Sequence, residues 1–162
     1  MSGRRSQAEW ATTLRLALLG LGTASSAGTA LELATHRHWG GTAKLVPWAA
    51  LAIVVVGLGL VALRADPVTI WIARGLATVV GGASAYGVIT HLRANYAAGP
   101  LDFRYETRWA TMDSLDRWWA VLSDKVGDSP ILAPGALVVA AACLVLGTLG
   151  HPALRDPAGY DT

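Results

Sequence analysis

The chain has little of several residue types on which protein chemistry usually depends. It contains one cysteine, Cys143, which excludes an internal disulfide and any Cys-x-x-Cys redox or zinc motif. Charged residues make up 15% of the sequence, and a formal net charge of +2 is too small to indicate a nucleic-acid-binding protein. The sequence also lacks a Ser/His/Asp triad, a phosphate-binding loop and a nucleotide-binding fingerprint. These absences favour a protein that is not an enzyme, with membrane enzymes and sensors left as further alternatives.

Apolar residues account for 53% of the chain and fall into four long runs, at residues 16–31, 45–63, 75–90 and 129–150. A helix needs about 20 such residues to cross ~30 Å of hydrocarbon. The second and fourth runs reach this length, and the other two reach it if Arg15, Glu32 and Arg74 extend to the interface. The sequence predicts one all-α membrane domain over residues 1–162. Its transmembrane helices lie at about 10–34, 46–64, 67–91 and 130–150, in a four-helix bundle.

The N-terminal run has an alternative interpretation. Two arginines, a short apolar stretch and small residues ending at Ala27 are also typical of a cleaved signal peptide. The apolar run continues through Leu31 and Leu33, beyond that cleavage position. We favour a retained first helix.

Local chemistry predicts where two helices begin. Asp66 is a suitable N-cap and Pro67 suits the first helical position, where a missing N–H has no consequence. The preceding apolar run ends at Leu63, so the second and third helices should form an antiparallel hairpin with a very short loop. By the same reasoning, the second helix should begin near Pro47.

Small residues recur at every fourth position in the first and third helices. The two ridges are Gly20, Ala24 and Gly28 in the first helix, and Ala73, Ala77, Gly81 and Ala85 in the third. Helices in membranes associate through close packing at such positions, so we expect both ridges to face neighbouring helices. The alternative is that Ala and Gly are simply abundant in this chain.

The segment from Arg93 to Asp128 is too polar to span a membrane. Its apolar residues recur every three or four positions, at Trp109, Met112, Leu115, Trp119, Leu122 and Val126. This spacing predicts an amphipathic helix over about 105–126, ended by Gly127 and Pro130. We expect it to lie between the third and fourth helices in the headgroup region, or else to cover a partner subunit.

One polar group is a candidate metal site. Glu32 and His36 are four residues apart on the first helix, His38 follows, and His91 ends the third helix at the same membrane face. Imidazole and carboxylate together can hold Zn or Cu, and two of the histidines could ligate haem. The alternative is that these side chains are only solvated at the interface. No cofactor is required by the sequence.

The basic residues predict how the protein is oriented in the membrane and which kind of organism it comes from. The chain has eleven arginines and two lysines, a bias typical of GC-rich bacterial genomes. The short flanks of the helices favour cytoplasmic termini under the positive-inside rule. We expect a multi-pass protein of the bacterial plasma (inner) membrane.

Glu32-Leu33, His38-Trp39 and Pro47 together resemble the first hairpin of small four-helix bacterial membrane proteins of unknown function. That resemblance implies a fold but no activity. The small-residue ridges and the amphipathic segment favour a non-catalytic accessory or assembly subunit, with the lipid bilayer and partner subunits or further copies of the chain as its surroundings. The alternative is a small metal- or ion-handling protein that uses the His/Glu group.

Overall fold

The computed structural model describes residues 2–64 and 66–154, and this part of the chain is all-helical, as predicted. The α-helices are α1 (Ser2–Thr35), α2 (Thr42–Leu63), α3 (Pro67–Ala98), α4 (Ser114–Leu122) and α5 (Leu132–Thr148). Short 3₁₀ turns occupy Gly99–Leu101 and Pro152–Leu154. The described part of α1 runs without a break through Ala27.

Three helical stretches within the described residues are long and apolar enough to cross a membrane. They are Ser6–Thr35, Lys44–Leu63 and Pro67–Leu101, with mean hydropathies of 1.2, 2.5 and 1.3. The fourth predicted span, 130–150, contains the shorter helix α5, whose 17 residues extend for ~25 Å. The structure therefore indicates a membrane-associated helical protein with three candidate spans.

Helix α5 lies between α1 and α3, and α2 packs mainly against α3. The middle of α1 and the first part of α3 meet late residues of α5, since Leu19 lies against Gly147 and Arg74 binds Thr148. Near its end, α1 meets the start of α5, where Glu32 binds the Ala133 N–H. Neighbouring long helices are therefore antiparallel. The main core is formed by small and branched side chains of α2, α3 and α5, namely Val54, Leu58, Val61, Ala73, Ala77, Val80, Ala140, Ala141 and Leu144.

The predicted hairpin between α2 and α3 is confirmed. Only residues 64–66 separate the two helices. The Asp66 carboxylate accepts a hydrogen bond from the Thr69 backbone N–H (3.0 Å) and another from the Thr69 hydroxyl. These bonds, the hydroxyl one first, lower the pKa of Asp66 below its ordinary value. Pro67 occupies the first helical position, where it needs no N–H donor.

The predicted start of α2 near Pro47 is wrong, because the helix begins five residues earlier at Thr42. Pro47 lies in the second turn, where its ring removes one intrahelical hydrogen bond. The loop between α1 and α2 is bonded to α2 by the Trp48 indole N–H, which donates to the His38 carbonyl at 2.9 Å. The loop before α2 is thus fixed by a tertiary hydrogen bond. The helix also has an extra turn before Pro47, which the position of the proline did not indicate.

The small-residue ridge of α3 faces a neighbouring helix as predicted over most of its length. Ala73 and Ala77 are buried, and a Cβ at Gly81 would lie 3.5 Å from the Ala141 Cβ on α5. Ala85, the last member of the ridge, is exposed.

The prediction for the ridge of α1 is wrong within this chain. Gly20, Ala24 and Gly28 are exposed, and a Cβ at either glycine would have no neighbour within 4 Å. The face of α1 against α5 is instead formed by Gly22, Ser26, Thr29 and Leu33. A Cβ at Gly22 would lie only 3.3 Å from the Cys143 Cβ, which makes Gly22 the point of close approach. The four-residue spacing of small residues cannot by itself show which of two adjacent faces of α1 packs against α5.

Residues 99–131, here called the cap, pack against the C-terminal end of α3. The predicted amphipathic helix over 105–126 is wrong in extent, because the only α-helix here is α4. Its predicted apolar face is also divided: Trp109 and Val126 are buried, whereas Leu115 and Trp119 are 81% and 67% exposed. The cap has a core of its own, formed by Tyr105, Trp109, Ala120, Val121 and Val126. The apolar residues of this core lie in turns as well as in α4.

One polar side chain, Asn95, fixes the cap to α3, and a second, Asp102, holds two parts of the cap together. Asn95 is fully buried, and its amide exchanges two hydrogen bonds with the Ser129 backbone, at 2.9 and 3.0 Å. Gly127 has φ +76°, and a Cβ there would overlap Asn95. Asp102 binds the Arg104 guanidinium at 2.6 Å and the Gly127 N–H at 3.2 Å, and the bond from Arg104 holds the pKa of Asp102 well below its usual range. The chain therefore re-enters the bundle at a fixed position.

Candidate cavity at one end of the bundle

The four predicted site residues line a single cavity. Glu32, His36, His38 and His91 all border a space of about 210 Å³ at the end of the bundle where α1 and α3 finish and α2 and α5 begin. Within residues 2–64 and 66–154, no three His, Cys, Asp or Glu side chains are grouped as metal ligands are. The structure brings the four side chains to one cavity, and the metal site itself stays a prediction.

Glu32 has a structural role that the sequence did not reveal. Its Oε1 accepts a hydrogen bond from the Ala133 backbone N–H (3.2 Å) in the first turn of α5. The N-cap residue of α5 is Ile131, which has no side chain able to cap. The α1 carboxylate thus supplies both the hydrogen-bond acceptor and the negative charge that a helix N-terminus favours. A carboxylate has further acceptor capacity beyond this one bond.

The histidines occupy different depths. His36 is exposed and His38 is partly buried. The Nδ1 atom of His91 is buried and has no hydrogen-bond partner within the described part of the chain. Because most buried polar atoms in proteins are paired, this ring nitrogen lacks the partner that such an atom usually has.

The remaining walls are mainly apolar. Leu33 of α1, Ala50 of α2 and Leu137 of α5 contribute side chains, and Pro130 and Pro134 flank the start of α5. Among the lining residues whose side chains the structure describes, Glu32 is the one acidic residue, and neither Lys nor Arg is present. The cavity thus combines one negative charge, imidazole groups and an apolar wall.

The opposite end of α5 is held by arginine. The Arg74 guanidinium donates to the Thr148 carbonyl (2.6 Å) and to its hydroxyl (3.0 Å), and Thr148 is fully buried. Burial first, and then the charges of Arg15 and Arg74, lower the pKa of His151 below its ordinary value of 6.5. The sequence presented both arginines only as charges that extend to the interface, because nothing in it aligned Arg74 with the last turn of α5.

Comparison of the chain with protein-family models, with curated proteins and with solved structures finds no match in any of the three. The functional argument therefore rests on the residues and their geometry.

Proposed function

We propose that the chain crosses the bilayer four times, through α1, α2, α3 and α5. Large apolar side chains point outward along the long helices, for example Leu21, Val55 and Val79, which are 52%, 49% and 70% exposed. Such surfaces are favourable against lipid and unfavourable against water. Helix α5 is short, but it is the most enclosed helix, and both of its ends are bonded by side chains of neighbouring helices.

This arrangement places both termini on one side, which we propose to be the cytoplasmic side of a bacterial inner membrane. The N-terminal half of α1 points towards the C-terminal end of α5, because Leu19 lies against Gly147 whereas Glu32, later in α1, binds Ala133 at the start of α5. A topology reporter fused after Arg64 should report the cytoplasmic side, and one fused after Asp124 the opposite side. Matching signals from the two fusions would contradict four crossings.

Within the membrane, the chain acts as a non-catalytic accessory or assembly subunit of a larger complex. The observation that supports this role is the outward face of α1, where Gly20 and Gly28 have open space above them. In lipid, helices associate by close approach at small residues, and this face is left without a partner inside the chain. A transmembrane helix of another subunit, or of a second copy, would fill it.

Copurification in mild detergent tests this role. We expect stoichiometric partner bands with the unchanged chain, and their loss with Gly20→Leu and Gly28→Leu. Gly82→Leu is the matched control, since Gly82 is also an exposed helical glycine with nothing within 4 Å, but on α3. A monomeric protein without partners, or equal loss in all three variants, would refute the accessory role.

A second function, in metal or ion handling, is supported by one observation: the four predicted residues line the same cavity. Binding of Zn, Cu or haem would require the His side chains to rotate towards one another, because no three-ligand group exists among the described residues. The metal content of the purified protein tests it. His36→Ala and His91→Ala should abolish bound metal, whereas His151→Ala, at the other end of the bundle, should retain it. Metal-free protein after purification with added Zn²⁺ would refute this function.

A further inference from the structure

We propose that the cavity between the four long helices binds a small protonated amine that carries an apolar group. The ammonium lies at Glu32 and His91, and the apolar group lies against Leu137 and Ala50. This inference depends on neither the accessory role nor the metal hypothesis, since it concerns only the walls of the cavity.

Charge defines the first property of the ligand. The Glu32 carboxylate borders the cavity, and neither Lys nor Arg is found among the wall residues whose side chains the structure describes. A carboxylate that leaves water requires a compensating group. The Ala133 N–H supplies one hydrogen bond at 3.2 Å, which leaves acceptor positions on Glu32 unfilled. An anionic ligand would be repelled here, whereas a single positive charge would be held by a charge-assisted hydrogen bond.

The buried ring nitrogen of His91 defines the second property. The His91 ring lines the cavity, and its buried Nδ1 has no partner in the described structure, so a turn of the ring about the Cβ–Cγ bond would present an unpaired nitrogen to the ligand. A neutral imidazole has one nitrogen that accepts a hydrogen bond, and an ammonium N–H is a suitable donor. This favours a primary or secondary amine over a quaternary ammonium ion, which has the charge but no N–H.

The walls define the third property. The cavity of about 210 Å³ is much larger than a single ion and is lined mainly by apolar residues such as Leu33, Ala50 and Leu137. An apolar group of the size of one aromatic ring or a short alkyl chain gains free energy by leaving water for such a wall. A small hydrophilic cation such as Na⁺ has no group to place there. The three properties together describe an amphiphilic amine.

The ligand series is tested on the complete chain in lipid nanodiscs by equilibrium dialysis at pH 7.5. The probe is 2-phenylethylamine, an alkylamine that is protonated at this pH in the way that a lysine side chain is. Its uncharged counterpart is 2-phenylethanol, its quaternary counterpart is trimethyl(2-phenylethyl)ammonium, and its anionic counterpart is 3-phenylpropionate. We expect one saturable site for the amine, with an affinity about tenfold or more above that of the alcohol, the quaternary ion weaker than the amine, and no saturable binding of the anion.

Glu32→Gln is the decisive variant, because its amide carbonyl can still accept the Ala133 N–H while the charge is removed. We expect about a tenfold or greater loss of amine affinity with little change for the alcohol. Glu9→Gln, at the exposed start of α1, is the matched control and should bind normally. His91→Phe keeps a ring in the wall and removes the nitrogen, so it should also weaken the amine.

Four results would overturn the proposal. They are equal affinity for amine and alcohol, unsaturable uptake that follows the lipid content, unchanged amine binding in Glu32→Gln, and binding of Zn²⁺ without binding of the amine. The ligand series on the unchanged protein decides the matter even if a variant does not fold. Partner bands in mild detergent can be present or absent in either case, so failure of the accessory role and failure of this proposal are distinguishable.

Discussion

The two ends of α5 are held by opposite charges, and they differ in what else those charges can do. At its N-terminus, Glu32 makes one hydrogen bond of 3.2 Å and borders an open cavity. At its C-terminus, Arg74 makes two shorter bonds to Thr148, which is fully buried. Each charge has the sign that complements the helix dipole at its end. The Arg74 guanidinium is used for bonds that hold α5 in place, whereas the Glu32 carboxylate still has acceptor capacity for a ligand.

Removing the arginine should produce the largest effect on stability. Arg74→Met leaves the buried Thr148 carbonyl without its charged donor, and hydrogen bonds to charged groups contribute about 1.5–3 kcal/mol. We expect a loss of about 2–3 kcal/mol in the free energy of unfolding, measured by denaturant titration in detergent. Arg74→Lys, which keeps the charge without the two-pronged geometry, should lose less. The exposed Arg64→Met is the control, and an equal effect at Arg64 would contradict the assignment.

Removing the carboxylate should have a smaller effect. Glu32→Ala deletes the acceptor for the Ala133 N–H, and loss of a helix N-cap decreases stability by ~1 kcal/mol. Glu32→Gln should lose only part of this amount, because an amide carbonyl can accept the same bond. The difference between the two variants in thermal unfolding separates the hydrogen bond from the charge. Equal destabilisation by Ala and Gln would show that the charge alone matters.

The indole of Trp48 provides a weaker link at the same end. Trp48→Phe keeps an aromatic ring and removes the N–H that donates to the His38 carbonyl at 2.9 Å. We expect a loss of ~1 kcal/mol in unfolding free energy, the net contribution of one neutral hydrogen bond. The exposed Trp39→Phe is the control. The comparison of the ends predicts that neither Trp variant approaches the effect of Arg74→Met.

The smallest effect should appear as a pH dependence of the arginine end. The folded state lowers the pKa of His151, through burial first and then the charges of Arg15 and Arg74. The unfolded chain therefore takes up the proton at a higher pH than the folded chain. The stability from neutral His151 is complete above its ordinary value of 6.5 and is lost as the pH falls below it. Thermal unfolding from pH 8 to pH 5 should show a steeper decline for the unchanged chain than for His151→Gln, and parallel profiles would refute this role.

Several features of the structure could be predicted because each depends on nearby residues. Asp66 and Pro67 by themselves determine the N-cap and the first turn of α3, and the structure confirms both. The association of Glu32, His36 and His91 also followed from simple reasoning. Residues four apart share a helix face, and successive antiparallel helices bring the ends of α1 and α3 to the same end of the bundle.

Other features depended on distant packing and could not be predicted. Gly20 and Gly22 lie on different faces of α1, yet only Gly22 meets α5, at Cys143. In the cap, the regular spacing from Trp109 to Val126 resembled one long helix, but the apolar residues form a core closed by turns. The capping role of Glu32 joins residues 101 positions apart, and no local signal indicates such a pair.

The attachment of the cap at Asn95 has an architectural consequence for the cavity. Ser129 is bonded to Asn95, and the next residue, Pro130, is part of the cavity wall. The position of one wall of the cavity is therefore set by hydrogen bonds to the cap, which lies outside the helix bundle. A minimal version of the protein, with the cap replaced by a short linker, would keep the helices but release this wall. Any engineered scaffold that is meant to preserve the cavity should therefore retain Asn95, Gly127 and Ser129 together.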